Sequence, residues 1–297
     1  MVTVAVVVCS RDRPQRLREC LPALIAQQAD ELLVVDSAST GEATRTVAAD
    51  HGLRSTRVDR AGLARARNAA FRATTADVVA FTDDDCTPQP DWAATIRDRF
   101  ATAALDGERL GFVTGQVVAA GRGQPVSVLL DAVPRRYAGG DDASHIGHGA
   151  NLAVSRACWT ELGGFDELLG VGAPLRSAED TDLMWRAMRE GWVGRYEPAA
   201  VVSHTQWRSR RDALRASFGY GVGAGALRHK VAKLAGHQAG RRLTDASLRS
   251  TARQAATDAR NGYEFGVAVN VARGLGIAVG RARAARLAIV DGQLVAR

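Results

Sequence analysis

The sequence predicts an α/β protein built on a doubly wound, mostly parallel sheet, and three observations carry that expectation. Apolar runs of strand length alternate with helical patterns through the first two thirds of the 297 residues. The runs at Val2–Cys9, Glu31–Asp36 and Asp77–Phe81 are apolar almost throughout, without alternation, as strands covered on both faces must be. Each of them gives way to polar residues at its carboxyl end, which is where a parallel sheet opens its ligand crevice.

Taken in order, Val2–Cys9 is the first strand and Ser10-Arg11-Asp12-Arg13 its exit loop. Pro14 suits the first helical position, where no N–H is needed. Leu17, Leu21, Leu24 and Ile25 recur at helical spacing. Glu31–Asp36 is the second strand, ending in Asp36-Ser37 and a Ser/Thr/Gly turn. A helix over Glu42–His51 leads to a short strand near Leu53–Val58, and Gly62–Ala70 is helical. The Asp77–Phe81 strand runs into Asp83-Asp84-Asp85, with prolines at 88 and 90 and a helix from about Asp91. Leu110–Ala120 is a further strand. Residues 121–149 are less regular and hold Gly139-Gly140-Asp141-Asp142, a glycine-rich loop expected to move. Asn151–Val154 is a short strand, Arg156–Leu162 a helix stopped by Gly163-Gly164. A helix from Glu179 to Met188 closes at Gly191, and a strand over Ala199–Val202 runs into Ser203-His204.

These elements divide the chain into a domain over residues 1–206 and a helical, basic extension over 207–297. Residues 205–297 carry 17 Lys and Arg against 5 Asp and Glu, whereas residues 1–204 carry 22 against 27. A basic tail offers peripheral contact with an anionic membrane surface or a polyanion; nucleic acid is not an expected partner. Gly219, Gly221, Gly223 and Gly225 alternate along a helical stretch, so another element must pack closely there. Gly266–Gly280 has the character of an amphipathic surface helix as much as of a helical subdomain. Cys9, Cys20, Cys86 and Cys158 form no CxxC and no paired framework, which points to reduced thiols and a cytoplasmic setting. Val2–Val8 is too short for a signal peptide, and no apolar run of about 18 residues exists to span a membrane.

The residues with chemistry in them cluster at strand ends. Three adjacent carboxylates repel one another and persist where something cationic lies between them. A divalent cation with oxygen ligands fits Asp83, Asp84 and Asp85 better than an acidic turn or a helix cap. Ser10 and Asp36 end neighbouring strands and converge on the same edge. Arg67 and Asn68 follow on a helix; a guanidinium matches a diphosphate or a base edge through its fork, though an exposed helical arginine is the ordinary alternative. Glu179, Asp180 and Asp182 stand at a helix start, where acids are favoured in any case, and one of them is positioned to take a proton from an acceptor hydroxyl. His204 ends a strand and is either structural or a metal ligand completing a site begun by Asp85. No GxGxxG follows the first strand and no GxxxxGK[ST] occurs, which removes a dinucleotide-dependent oxidoreductase and a P-loop NTPase.

With these residues in order, the chain resembles an inverting family 2 glycosyltransferase of the GT-A fold, bacterial type. The likeness rests on Val4–Pro14, Val34-Val35-Asp36-Ser37, Gly62–Asn68, Phe81–Asp85 as a DxD motif, Gly163–Glu167 and Glu179–Leu183, and it covers residues 1–206. The resemblance implies that Ser10, Arg11, Asp36, Arg67, Asn68, Asp83 and Asp84 hold a nucleotide-sugar donor (UDP-, dTDP- or GDP-linked). It implies Mg2+ or Mn2+ on Asp83, Asp85 and His204. Asp180 becomes the catalytic base, and Asn151, Gly164, Phe165, Asp166 and Glu179 lie towards the sugar or an acceptor of unknown identity. The helical extension over Arg208–Lys230 is like one that many bacterial members carry beside the membrane. Two other readings compete: a sugar-1-phosphate nucleotidyltransferase, which needs a glycine-rich loop after the first strand, and a non-catalytic protein whose basic tail binds a membrane surface or polyanion.

Overall fold

A computed structural model describes residues 1–123, 127–143 and 146–296, with the side chains of 237 and 240–248 set aside. Strand β1 (Val4–Ser10) lies between β2 (Glu31–Asp36) and β4 (Val78–Asp83), parallel to both, and β3 (Arg54–Arg57) extends the parallel half beyond β2. The rest of the sheet is mixed. β5 (Cys86–Pro88), β6 (Leu110–Gly121), β7 (Arg135–Tyr137), β8 (Leu152–Ser155) and β9 (Val193–Gln206) complete the order β3-β2-β1-β4-β8-β6-β9-β5, with β7 also on β9. Most of the ladder is parallel because β6 and β9 run parallel along most of their length.

The lack of alternation in β1 has a direct cause. Val4, Val6 and Val8 enter one core with Leu17, Leu21 and Leu24 of α1 (Pro14–Ile25) and Ile96 of α4 (Trp92–Leu105), while α2 (Ala43–Asp50) adds Val47 to it. Ala5, Val7 and Cys9 enter the opposite core with Phe71 of α3 (Leu63–Ala73), Cys158 of α5 (Arg156–Glu161) and Leu183 of α6 (Glu179–Arg189). Both faces of the sheet are therefore apolar and covered by helices, as doubly wound sheets require. All four cysteines are free and buried.

The sheet ends at Gln206, and the chain continues as α7 (Arg210–Ala235), α8 (His237–Arg260) and α9 (Glu264–Ala284), then a hairpin of β10 (Ala288–Val290) and β11 (Gln293–Val295). The alternating glycines of α7 do find a close partner. A Cβ on Gly221 or Gly225 would run into the backbone of α9 at Arg273 or Ile277, and one on Gly276 or Gly280 into α7 at Phe218 or Val222. The Gly266–Gly280 stretch is thus part of a helical subdomain, although Val271 and Leu275 on its outer side are exposed. No helix among the described residues is long and apolar enough to cross a membrane.

The extension is fastened to the sheet domain by a buried charge cluster. Lys230 Nζ of α7 lies 2.7 Å from Asp166 Oδ2 and 2.6 Å from Asp182 Oδ1, and all three side chains are fully buried. Arg186 pairs with Asp182 at 2.8 Å, and the Leu294 N–H of β11 donates to Asp166 Oδ2 at 2.7 Å.

Candidate active site

Parallel pairing aligns Ser10 with Asp36 and Cys9 with Asp83, so the polar exits of β1, β2 and β4 form one edge. A cavity of about 830 Å3 opens there and continues between α6 and the helical extension. Ser10, Arg11, Arg67, Asp83, Asp85, Glu179, Asp180 and His204 all line it.

The triple acid divides three ways because the chain turns back after Asp83 to pair β5 with β9. Asp83 is about one-third exposed and faces the cavity, 4.0 Å from Arg67. Asp84 is turned inward, where Ser10 Oγ donates to it at 2.7 Å and Arg13 pairs with it at 2.9 Å. Burial nonetheless pushes its carboxyl up to about 7, against the pull of Arg13. Asp85 takes a third environment, since Cys86 lies opposite His204 in the ladder. Its Oδ1 is 3.3 Å from His204 Nε2, while its Oδ2 accepts from Trp207 Nε1 at 2.7 Å and from Arg13 at 3.2 Å. Burial alone would raise Asp85, but the His204 and Trp207 hydrogen bonds and the Arg13 charge outweigh it and hold the carboxyl well below the usual range. Burial lowers His204, and its bond to Asp85 more than offsets that, leaving it raised.

Asp85, Cys86 and His204 bring their ligand atoms within 4.8 Å of one another. A carboxylate and an imidazole suit a divalent first-row ion such as Mn2+. Burial pushes the Cys86 thiol well above its ordinary value, so Asp85 and His204 are the readier ligands of the three. Asp83 is the remaining carboxylate on the same rim.

The acids at the start of α6 part just as sharply. Glu179 is buried against Arg67 at 2.9 Å, and Arg67 Nη2 also donates to the Gly149 carbonyl at 2.9 Å. Burial and the neighbouring Asp180 charge push Glu179 up to about 7, with Arg67 opposing. Asp182 points away to Lys230 and Arg186. Asp180 turns into the cavity: the Gly149 N–H donates to its Oδ2 at 2.7 Å, and the Thr181 N–H to its Oδ1 at 2.7 Å.

Several residues expected at the donor or acceptor have other work. Asp36 is fully buried, paired with Arg57 at 2.8 Å and accepting from the Ser39 N–H, so it shapes the turn after β2. Asn68 ties α3 to the Gly164-Phe165 loop: its Nδ2 donates to the Phe165 carbonyl, and its Oδ1 accepts from Phe165 N–H and Trp159. Gly164 takes the left-handed conformation beneath Asn68, where a Cβ would crowd the amide, and its carbonyl accepts from Arg186. Phe165 is core, edge-on to Phe81. Asp166 belongs to the Lys230 cluster. Asn151 is buried, accepting from Trp92 and donating to the Gln116 and Ala200 carbonyls. Asp84 supports the rim from behind and does not reach the cavity. Conversely, no motif in the sequence assigns Arg13 or Trp207 a role, yet both hold Asp85. Trp207 follows the end of β9 and Arg13 precedes Pro14, so their signal was proximity to predicted strand ends.

The family described as Glycosyl transferase family 2 matches residues 5–123, which includes β1, the triple acid and the aligned strand ends. Over that stretch the chain is similar to family 2 glycosyltransferases. A pre-mycofactocin glycosyltransferase of Mycobacterium tuberculosis is 34% identical over 175 residues, covering 57% of this chain and 36% of the relative. The chain thus spans little more than a third of the length of that curated relative. Among solved structures, S. aureus TarS 1–349 in complex with UDP-GlcNAc has a TM-score of 0.53 at 15% identity, covering 100% of this chain and 97% of that one. GalNAc-T7 with UDP, GalNAc and Mn2+ has a TM-score of 0.52 at 16% identity, covering 74% and 47%. Both share the GT-A fold with this chain.

Proposed function

We propose that the chain transfers a sugar from a nucleoside diphosphate donor to an acceptor hydroxyl, with inversion and with the help of Mg2+ or Mn2+. The observation that carries this reading is the placement of Asp180. Of the three acids at the start of α6, it alone faces the cavity shared with Asp83 and Asp85 without an ion-paired cation among the described residues. The Gly149 and Thr181 N–H groups hold both of its oxygens, so its orientation is set before an acceptor arrives. A carboxylate so placed takes the acceptor proton as the hydroxyl attacks the anomeric carbon from the face opposite the leaving group. A single displacement with a single base inverts that carbon.

Asp85 and His204, with Asp83 beside them, would hold the divalent ion; when bound, it supplies neutralisation of the charge on the departing diphosphate. Arg13 and Trp207 fix Asp85 in place, and Arg67 keeps Glu179 occupied so that it does not compete with Asp180. The nucleotide would lie along Ser10 and Arg11 at the exit of β1. The uridine nucleotides in the TarS and GalNAc-T7 complexes, and the Mn2+ in the latter, support a UDP-sugar and Mn2+ as the first pair to try.

Thermal melting with UDP-, dTDP- and GDP-sugars, each with and without Mn2+, tests the donor side. One donor is expected to raise the melting temperature in a Mn2+-dependent way, and Asp85→Ala to lose that shift. The reading fails at this point if no nucleotide sugar stabilises the protein or if Asp85→Ala responds like the wild type.

A further inference from the structure

The cavity does not end at the strand edge. Its far wall is built by the helical extension, from Tyr220, Leu227 and Arg228 of α7, Gln254 of α8 and Phe265 and Arg273 of α9. The charge there is unusual. Arg228 is 7% exposed, and its Nη1 has no hydrogen-bond partner. No ion pair joins Arg228 or Arg273 to a carboxylate among the described residues. Asp258, the acid on the same wall, already accepts from Gln254 at 2.9 Å and Asn270 at 3.1 Å.

A buried guanidinium without a carboxylate is costly, and a second one nearby raises the cost. The two do sense each other. Burial first, and then the Arg273 charge, push Arg228 down to about 10, with Asp142 only partly opposing. Burial lowers Arg273 as well. Both remain cationic at neutral pH. Arg273 is itself exposed where it lines the cavity, so the enclosed charge is that of Arg228; an anion that accepts from both forks would stabilise it. Arg228 and Arg273 line the same cavity as Asp180 and His148.

We propose that this helical wall is the acceptor subsite and that the acceptor carries an oxyanion, a phosphate or a carboxylate, held by Arg228 and Arg273. The inference rests on the transferase reading for its account of why an acceptor enters here, but the anion site itself can be tested apart from it. The donor's diphosphate has its own place in this reading, with Asp85, His204 and Arg13. The acceptor's anion, gripped by helices α7 and α9, would present a hydroxyl towards Asp180.

The test uses the full chain with UDP and Mn2+ present in excess, so that the donor end is occupied. Binding of glycerol 3-phosphate, glycerate and glycerol is measured by calorimetry for wild type, Asp85→Ala, Arg228→Gln and Arg273→Gln. At least one of the two anions is expected to bind wild type, and glycerol not; which anion binds tells phosphate from carboxylate. Arg273→Gln, whose side chain is not part of the packed core, is expected to weaken that binding about tenfold or more, the loss of a charge-assisted pair. Arg228→Gln is expected to do the same, and Arg228→Lys to fall between, since charge remains while the fork is lost. Asp85→Ala should keep anion binding even where it loses UDP and Mn2+, so a failed donor reading and a failed anion site give different results. Anion binding that is unchanged in both glutamine variants, or glycerol binding as tightly as the anions, would overturn the proposal.

Discussion

Two clusters of carboxylates and cations in this molecule are finished to different degrees. In the Asp166–Lys230–Asp182–Arg186 cluster every charge is matched: Lys230 bridges two aspartates, Arg186 takes the second, and the side chains are all but excluded from solvent. In the Asp83–Asp84–Asp85 cluster, Arg13, Ser10, Trp207 and His204 satisfy the inner two acids, while Asp83 remains one-third exposed on the cavity rim. The first has the form of a fastening, and it joins a helix of the extension to α6 and to the loop before it. The second is open on one side and has room for a ligand. Local density of acids therefore does not separate structure from chemistry; what separates them is whether the cations that answer the acids come wholly from the chain.

Breaking each cluster should have opposite consequences, and the larger effect on stability belongs to the fastening. Lys230→Met leaves Asp166 and Asp182 buried with one cation fewer, and a loss of about 3–5 kcal/mol is expected, as for a buried pair deprived of a partner. Denaturant melts of the variant should show it, together with earlier proteolysis of the extension. Stability within about 0.5 kcal/mol of wild type would mean the cluster is not what holds the two parts together.

Arg13→Met attacks the open cluster instead. Asp84 loses its ion pair but keeps the Ser10 hydrogen bond, and a carboxyl pushed up to about 7 by burial can take a proton in compensation. The stability loss should therefore be smaller, about 1–2 kcal/mol, whereas Mn2+-dependent stabilisation by the nucleotide sugar should largely disappear as Asp85 loses its orientation. A variant that melts much earlier yet binds donor normally would reverse the assignment of roles.

The two clusters also explain how far the sequence could be read. Strands β1, β2 and β4 were legible because burial on both faces forces continuous apolar runs, and the strand-end residues were legible as one edge because parallel pairing aligns them. The individual fates of Asp83, Asp84 and Asp85 were not, because they depend on β5 folding back onto β9, and a three-residue strand, Cys86–Pro88, has no pattern of its own. The same holds for Glu179, Asp180 and Asp182: adjacent helical positions point in different directions, and only the placement of Arg67, Gly149 and Lys230 decides which acid meets the cavity. Asp166 looked like a site residue because it sits in the family-like Gly163–Glu167 stretch, and its true partner is 64 residues away on α7. The helical extension itself was visible as helix and as close-packed glycine, but its role as a cavity wall comes only from its docking.

The smallest effect expected is one of pH. Burial raises the Asp182 carboxyl, but the Lys230 and Arg186 charges outweigh it, so its folded value lies below the ordinary 3.8. An acid depressed in this way stabilises the fold above its unfolded value, and that contribution is lost as pH falls through the folded value. Melting temperature should then drop more steeply below about pH 4 in wild type than in Asp182→Asn, where the ionisation is gone. Parallel curves would place the acid-labile contacts elsewhere.

The proposed transfer depends most directly on Asp180 as the acid that takes the acceptor's proton. Single-turnover transfer by Asp180→Asn, measured alongside donor binding, examines it with least interference from folding, because the amide preserves size and leaves the Lys230 fastening untouched. Donor affinity within a few-fold of wild type with transfer slowed by about 10^2- to 10^4-fold is the predicted result; transfer at the wild-type rate would contradict it.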